Sequence, residues 1–190
     1  FQENSRTRYF DVQELVRLRA ALEDEPAWLS AMFRFYLASG LRKGELLSLP
    51  WSALHLNSAE GAYLDVEQTK NGRKLRLALT DDMVQTLLSI PRTSEKWVFP
   101  SPVDPAVHRE DFRRHWKRIR AKADLSDGTI HDLRRTTGSV LAQNGVSLHH
   151  IAMVLNHSST EVTKVYARLS RDSQREALET MSGALDETFG

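Results

Sequence analysis

Cysteine is absent from the 190 residues. That excludes a disulfide scaffold, a cysteine nucleophile and thiolate sites for zinc or iron–sulfur clusters, and it suits a reducing compartment. No apolar run approaches the ~20 residues of a membrane-spanning helix. Glycine numbers only 9, and none builds the glycine-rich loop that cradles nucleotide phosphates, which argues against nucleotide hydrolysis. A HExxH motif and a paired-carboxylate signature are also missing, and the adjacent His149 and His150 diverge on a helix. No metal site and no cofactor are therefore expected. An excess of one charge is lacking too. Lys and Arg total 26 against 25 Asp and Glu, a formal net charge of +1, so a uniformly basic nucleic-acid coat is excluded.

The charge is unevenly placed. Residues 108–122 hold Arg109, Arg113, Arg114, Lys117, Arg118, Arg120 and Lys122 against Glu110 and Asp111. Acidic residues gather near both ends, at Glu23, Asp24 and Glu25 and at Glu176, Glu179, Asp186 and Glu187. The basic middle fits either a phosphate-binding face or a solvated helix face.

Apolar spacing predicts helices near 12–23, from Pro26 to Gly40, and over 43–48, 82–89, 105–122, 130–143, 148–155, 159–169 and 172–186. A short extended piece falls at Trp97–Phe99. Residues 62–79 alternate as a hairpin. Its Asn71-Gly72 pair favours a two-residue turn, which sets Lys70 opposite Arg73, Val66 opposite Leu77 and Leu64 opposite Leu79. No repeat, low-complexity tract or linker breaks the chain. The expected class is mostly α with a small antiparallel β-sheet.

Three places carry chemistry. At the hairpin tip, Lys70 faces Arg73, and like charges directly opposite destabilise a sheet. Either an anion relieves them or both splay into water. In Thr129-Ile-His-Asp-Leu-Arg-Arg, Thr129 is a good N-cap. Ile130, Leu133, Thr137, Val140 and Leu141 form the apolar stripe, and His131 and Arg134 share another face. Gly138 leaves room beside them. The spacing does not choose between Arg134 and Arg135, and a His–Arg pair is often plain surface. In Asn156-His-Ser-Ser-Thr-Glu-Val-Thr-Lys-Val-Tyr, Ser158 and Glu161 have capping-box spacing. Val162, Val165 and Leu169 form a stripe with Tyr166 at its edge, where a tyrosine commonly just packs. His55, His108 and His115 have no companion that suggests a role.

Together these segments resemble the catalytic domain of the tyrosine recombinases, the phage-integrase family, over about residues 9–170. SGLRKGELLSLPW resembles the family's first arginine box and implies Arg42 as catalytic, followed by Glu45. TKNGRKLRL resembles the lysine hairpin and implies Lys70. HDLRRTTGSVLAQNG resembles the His-x-x-Arg box and implies His131 and Arg134. LNHSSTEVTKVYARL resembles the closing box and implies His157 and the nucleophile Tyr166. Asn156 stands where the family usually has glycine. If that backbone is left-handed, Asn is the next-best residue.

The resemblance implies a site-specific recombinase or integrase that cleaves and religates DNA through a 3′-phosphotyrosyl link, without metal or ATP. Its partner would be duplex DNA carrying recombination sites, with a homo-tetramer on DNA and a cytoplasmic bacterial or phage-infected setting. Lys70, Arg73, Arg113, Arg114 and Lys117 are the candidate DNA-binding cations. The chain reads as one catalytic domain from a longer protein whose N-terminal DNA-clamping domain lies outside it. Type IB topoisomerase chemistry and a non-cleaving DNA-binding module are the alternative readings.

Overall fold

A computed structural model of the chain describes residues 8–67, 72, 74–157 and 165–189. The chain divides into two compact units, residues 8–136 and the part from Thr137 onward.

The first unit opens on a reciprocal cap. Asp11 accepts the Glu14 N–H at 2.8 Å and Glu14 accepts the Asp11 N–H at 3.0 Å, which starts helix α1 at Val12–Glu23. Pro26 stands as the N-cap of α2, Ala27–Ser39, and Gly40 ends it with φ 59°, a left-handed backbone that glycine adopts without strain. Helix α2 is the centre of this unit, for Leu29, Met32, Phe33, Phe35 and Tyr36 are all buried. Next come α3 at Lys43–Leu47 and α4 at Asp81–Leu88. Helix α5 covers Arg113–Lys122. It turns Trp116 and Ile119 inward, and Phe112 just before it meets Phe33 edge-on at 5.3 Å.

Helix α5 is shorter than the expected 105–122. Residues 101–109 instead fold back along Trp97–Phe99, with Ser101 N–H donating to Val107 O and Arg109 N–H to Phe99 O, each at 2.8 Å. Asp104-Pro105 makes the reversal, the Asp104 carboxylate accepting the Ala106 N–H at 2.9 Å. The extended piece at Trp97–Phe99 is present and bridges Pro50.

The sheet is antiparallel in the order β1-β2-β3, with β1 at Leu54–His55, β2 at Tyr63–Val66 and β3 at Leu75–Ala78. The two-residue β1 is too short to announce itself by periodicity. The β2–β3 register differs from the expected one by two residues: Leu64 pairs with Leu77 and Val66 with Leu75. A slip of two leaves every side chain on its original face, so the apolar pattern does not resolve it. Charge does. The observed register sets Asp65 opposite Arg76, and two hydrogen bonds of 2.9 Å join them. The other register sets Asp65 opposite Ala78 and Arg76 opposite Glu67, one opposite-charge pair where the observed register has two, the second joining Lys74 and Glu67 at 2.6 Å. Residues 68–71 and Arg73, including Lys70 and the Asn71-Gly72 turn's first residue, lie outside the described residues.

Helix α6, Ile130–Gln143, continues into the second unit. There α7 spans Leu148–Val154 and α8 spans Ala167–Phe189. Ala142, Ile151, Leu155 and Tyr166 make a small core, flanked by Leu141, Val146, Leu148 and Leu169. Val140 is exposed rather than buried. It lies roughly half a turn around α6 from Gly138 and Ala142, through which this core packs. Val165 is exposed as well, and Tyr166 takes the inward place beside Leu169. The expected break between 169 and 172 does not occur, because no glycine or proline lies there to stop the helix. Residues 158–164, with the Ser158–Glu161 spacing and Val162, lie outside the described residues. Among the described residues no helix is long and apolar enough to cross a membrane.

Candidate active site

In the first unit, the left-handed end of α2 places two arginines. The chain leaves Gly40, passes buried Leu41 and reaches Arg42, the N-cap of α3. Glu45, 6% exposed, accepts both the Arg42 backbone N–H and its Nη1–H at 2.8 Å. One carboxylate thus caps the helix and aims the guanidinium. Arg134 arrives from α6, is buried, and donates from Nη1 to the carbonyl of Gly40. The two arginines are therefore fixed on either side of one three-residue turn. Sequence spacing missed the Gly40 carbonyl; the only signal is the glycine before Leu-Arg.

The same geometry separates Arg134 from Arg135. The Asp132 carboxylate accepts the Thr129 N–H at 2.8 Å, while the Thr129 hydroxyl accepts the Asp132 N–H at 3.3 Å. Arg135 turns back to this fully buried carboxylate at 3.3 Å, so its partner is a structural cap. His131 is on the exposed side of the first turn. Its pKa is lowered, first by partial desolvation of the ring and then by Arg135 and Arg134, against the opposing pull of Asp132. A neutral imidazole at ordinary pH is the form that accepts a proton. Tyr36, buried near Arg134 and Glu45, has its phenol pushed up by burial and is a core residue.

In the second unit, His157 is placed by a helix end. Asn156 has φ 46°; its N–H donates to Met153 O at 3.1 Å and the His157 N–H to Ala152 O at 2.9 Å. This is a Schellman motif with Asn at the left-handed position, which accounts for Asn where glycine is usual. The ends of α5 and α6 repeat the motif with Asp124 at φ 53° and Gly145 at φ 74°. Tyr166 is 5% exposed. Its ring lies on Gly138, where an added Cβ would fall 2.4 Å from Cζ and 2.7 Å from the hydroxyl oxygen. Only glycine leaves that space.

The basic run on α5 divides by partner. Arg118 is paired with Glu25 and Lys122 with Asp24. Arg120 donates to Gly128 O at 2.9 Å. Arg113 donates to Asp111 at 2.6 Å, and Lys43, beside Arg42, reaches the same carboxylate at 3.0 Å. Burial pushes the Asp111 carboxyl up, but these two cations outweigh it and hold it at about 2. Arg114 and Lys117 are exposed. Lys70 and Arg73 lie outside the described residues. Among the described residues no group of three His, Asp or Glu side chains could hold a metal ion.

The chain is similar to known proteins over most of its length. The integrase of Salmonella phage P22 is 28% identical over 88% of this chain and 45% of its own length. The tyrosine recombinase XerD of Agrobacterium fabrum is 28% identical over 90% of this chain and 60% of its own. The chain spans about half the length of the curated relatives it matches. Among solved structures, the catalytic domain of bacteriophage HP1 integrase superposes with a TM-score of 0.68 at 19% identity, covering 90% of this chain and 93% of that domain. The mostly helical fold with its three-stranded sheet is thus a tyrosine recombinase catalytic-domain fold. Residues 8–172 match the model of the phage integrase family, and the chain belongs to that family.

Proposed function

We propose that this chain breaks and rejoins DNA strands as a site-specific recombinase, with Tyr166 as nucleophile. The observation that carries the reading is the anchoring of Arg42 and Arg134 on one turn, in a family member with all six expected positions filled in order. A phosphodiester is anionic and repels nucleophiles. Two fixed guanidinium groups hold its non-bridging oxygens and stabilise the added charge of the transition state. His157 supplies a further donor. About one tyrosine in a thousand is phenolate at neutral pH, so His131 takes the phenol proton as Tyr166 attacks phosphorus. The bond to the 5′-oxygen breaks, Lys70 protonates that oxygen, and a 3′-phosphotyrosyl link remains. A 5′-hydroxyl from another strand reverses the step. No step draws on a metal or a nucleotide. Self-association on paired DNA sites, as a tetramer, completes strand exchange, with Arg73, Arg113, Arg114 and Lys117 on the DNA backbone.

Incubation with a nicked suicide duplex tests this: a covalent protein–DNA band on a denaturing gel is expected, and its absence at saturating DNA would falsify the reading. Its pH dependence has a defined sign. At limiting DNA, kcat/KM reports groups of the free protein. A lowered His131 pKa keeps the base form present at lower pH. The acid limb for adduct formation should therefore have its midpoint below 6.5, and a midpoint above that value removes His131 as the base.

Lys70→Ala should slow cleavage by about 10²- to 10⁴-fold, the usual worth of a general acid. Replacing the bridging 5′-oxygen with sulfur makes a leaving group with a pKa of about 8.5 that needs no proton. Single-turnover cleavage of that substrate should restore most of the variant's rate, whereas Arg42→Ala should gain little. Equal impairment of Lys70→Ala on both substrates would assign Lys70 to DNA positioning.

A further inference from the structure

We infer that Arg109, His115 and Trp28 form an anion subsite, separate from the six catalytic positions, that takes one backbone phosphate of duplex DNA. The inference rests on the DNA-acting reading above. Arg109 lies just before α5 with its guanidinium carbon 4.5 Å from the centre of the Trp28 ring. His115, on α5, meets the same indole edge-on at 5.6 Å. Both present a buried nitrogen without a hydrogen-bond partner, Nε of Arg109 and Nδ1 of His115. Arg109 has no carboxylate partner among the described residues.

Two such nitrogens on one indole are unusual, because buried polar groups are nearly always satisfied and buried charges paired. The nearby acid, Glu25, pulls on His115 through space but gives its hydrogen bonds to Arg118, and it makes none to either nitrogen. Burial alone pulls the Arg109 guanidinium below its usual range. The His115 imidazole is lowered first by burial and then by Arg118 and Arg109. An anion with several acceptor oxygens answers all of this at once. It accepts from the Arg109 Nε–H, and from His115 with the ring proton on Nδ1, and it offsets the charge, while Trp28 walls one side against water.

Position favours a DNA phosphate. Arg109 is partly exposed, and Arg114 and Lys117 are exposed on the adjoining helix. Asp111, two residues after Arg109, is ion-paired at 3.0 Å with Lys43, the residue after Arg42. The segment carrying Arg109 is thus tied to the loop of a proposed catalytic arginine, as a neighbouring contact on one DNA backbone requires.

The test uses stability and salt dependence together. Arg109→Met removes an unpaired, partly buried charge, so its melting temperature should equal or exceed the wild-type value. Its affinity for duplex DNA should nonetheless fall uniformly across sequences. One lost phosphate contact makes the slope of log affinity against log salt shallower by about 0.9, or about eightfold weaker binding at 0.1 M salt. Arg109→Lys should keep most of the slope. Arg109→Gln repeats the measurement with a polar side chain in case Met is not tolerated. An unchanged slope in folded Arg109→Met or Arg109→Gln overturns the proposal, and a lowered melting temperature with that slope assigns Arg109 to packing on Trp28. Inorganic phosphate at matched ionic strength is the second probe; an Arg109-dependent thermal shift with no change in the DNA slope assigns the site to free phosphate and also overturns it. Adduct formation separates the two readings. Wild-type adduct with an unchanged slope sinks the subsite alone, while a shallower slope without wild-type adduct leaves the subsite and removes the nucleophile.

Discussion

Tyr166→Phe should fold, bind duplex DNA nearly as wild type does, and form no covalent adduct. The substitution removes one oxygen and keeps the ring that packs with Ala142, Ile151 and Leu155. The cost to stability should stay near the ~1 kcal/mol of a typical hydrogen bond. The chemical cost is of another order, because the phenol oxygen is the atom that joins phosphorus in the proposed step and no other group in the scheme replaces it. Denaturing gels with a nicked suicide duplex, beside anisotropy titrations with the same duplex, give both numbers. A surviving adduct in the variant would mean that another residue attacks.

Gly138→Ala should be nearly as damaging through one methyl group. A Cβ there meets Tyr166 Cζ at 2.4 Å and the hydroxyl oxygen at 2.7 Å, about an ångström inside ordinary contact. The end of the phenol ring must shift, because Gly138 lies within helix α6 and its Cα is held by the helix. Misplacing a reacting atom by about 1 Å costs on the order of 10²-fold in rate, and overpacking a core adds about 1–3 kcal/mol of instability. Single-turnover adduct formation should fall by about that factor at saturating DNA, with DNA affinity within twofold of wild type. A normal rate in a folded Gly138→Ala protein would show that the pose on Gly138 is not connected to the reaction.

The parts of this molecule that were legible beforehand are those governed by local rules. The Asp11–Glu14 cap, the left-handed end at Gly40 and the left-handed Asn156 each follow from one residue type meeting one backbone need. At the candidate site the placing of Arg42 was legible, because its own motif carries the Glu45 that caps the helix and aims the guanidinium. What was not legible depends on contacts between distant segments. Arg134 and Arg135 have the same residue chemistry, and they part because Arg134 reaches the Gly40 carbonyl, 94 positions away, while Arg135 turns back to Asp132. Pro105 is a favourable first helical residue and sets the expected start of α5 too early, for residues 101–109 are claimed by hydrogen bonds to Trp97–Phe99 and its neighbours. His115 had no companion within its own segment; its companions are Trp28 from the start of α2 and Arg109.

The hairpin register has a consequence for salt. Two cross-strand ion pairs at the surface, Asp65–Arg76 and Glu67–Lys74, favour it, while the apolar face of Leu64, Leu75 and Leu77 fits either register. Ionic strength screens surface ion pairs and leaves apolar burial in place. Concentrated salt should therefore keep the strands paired while weakening the preference for one alignment over the other.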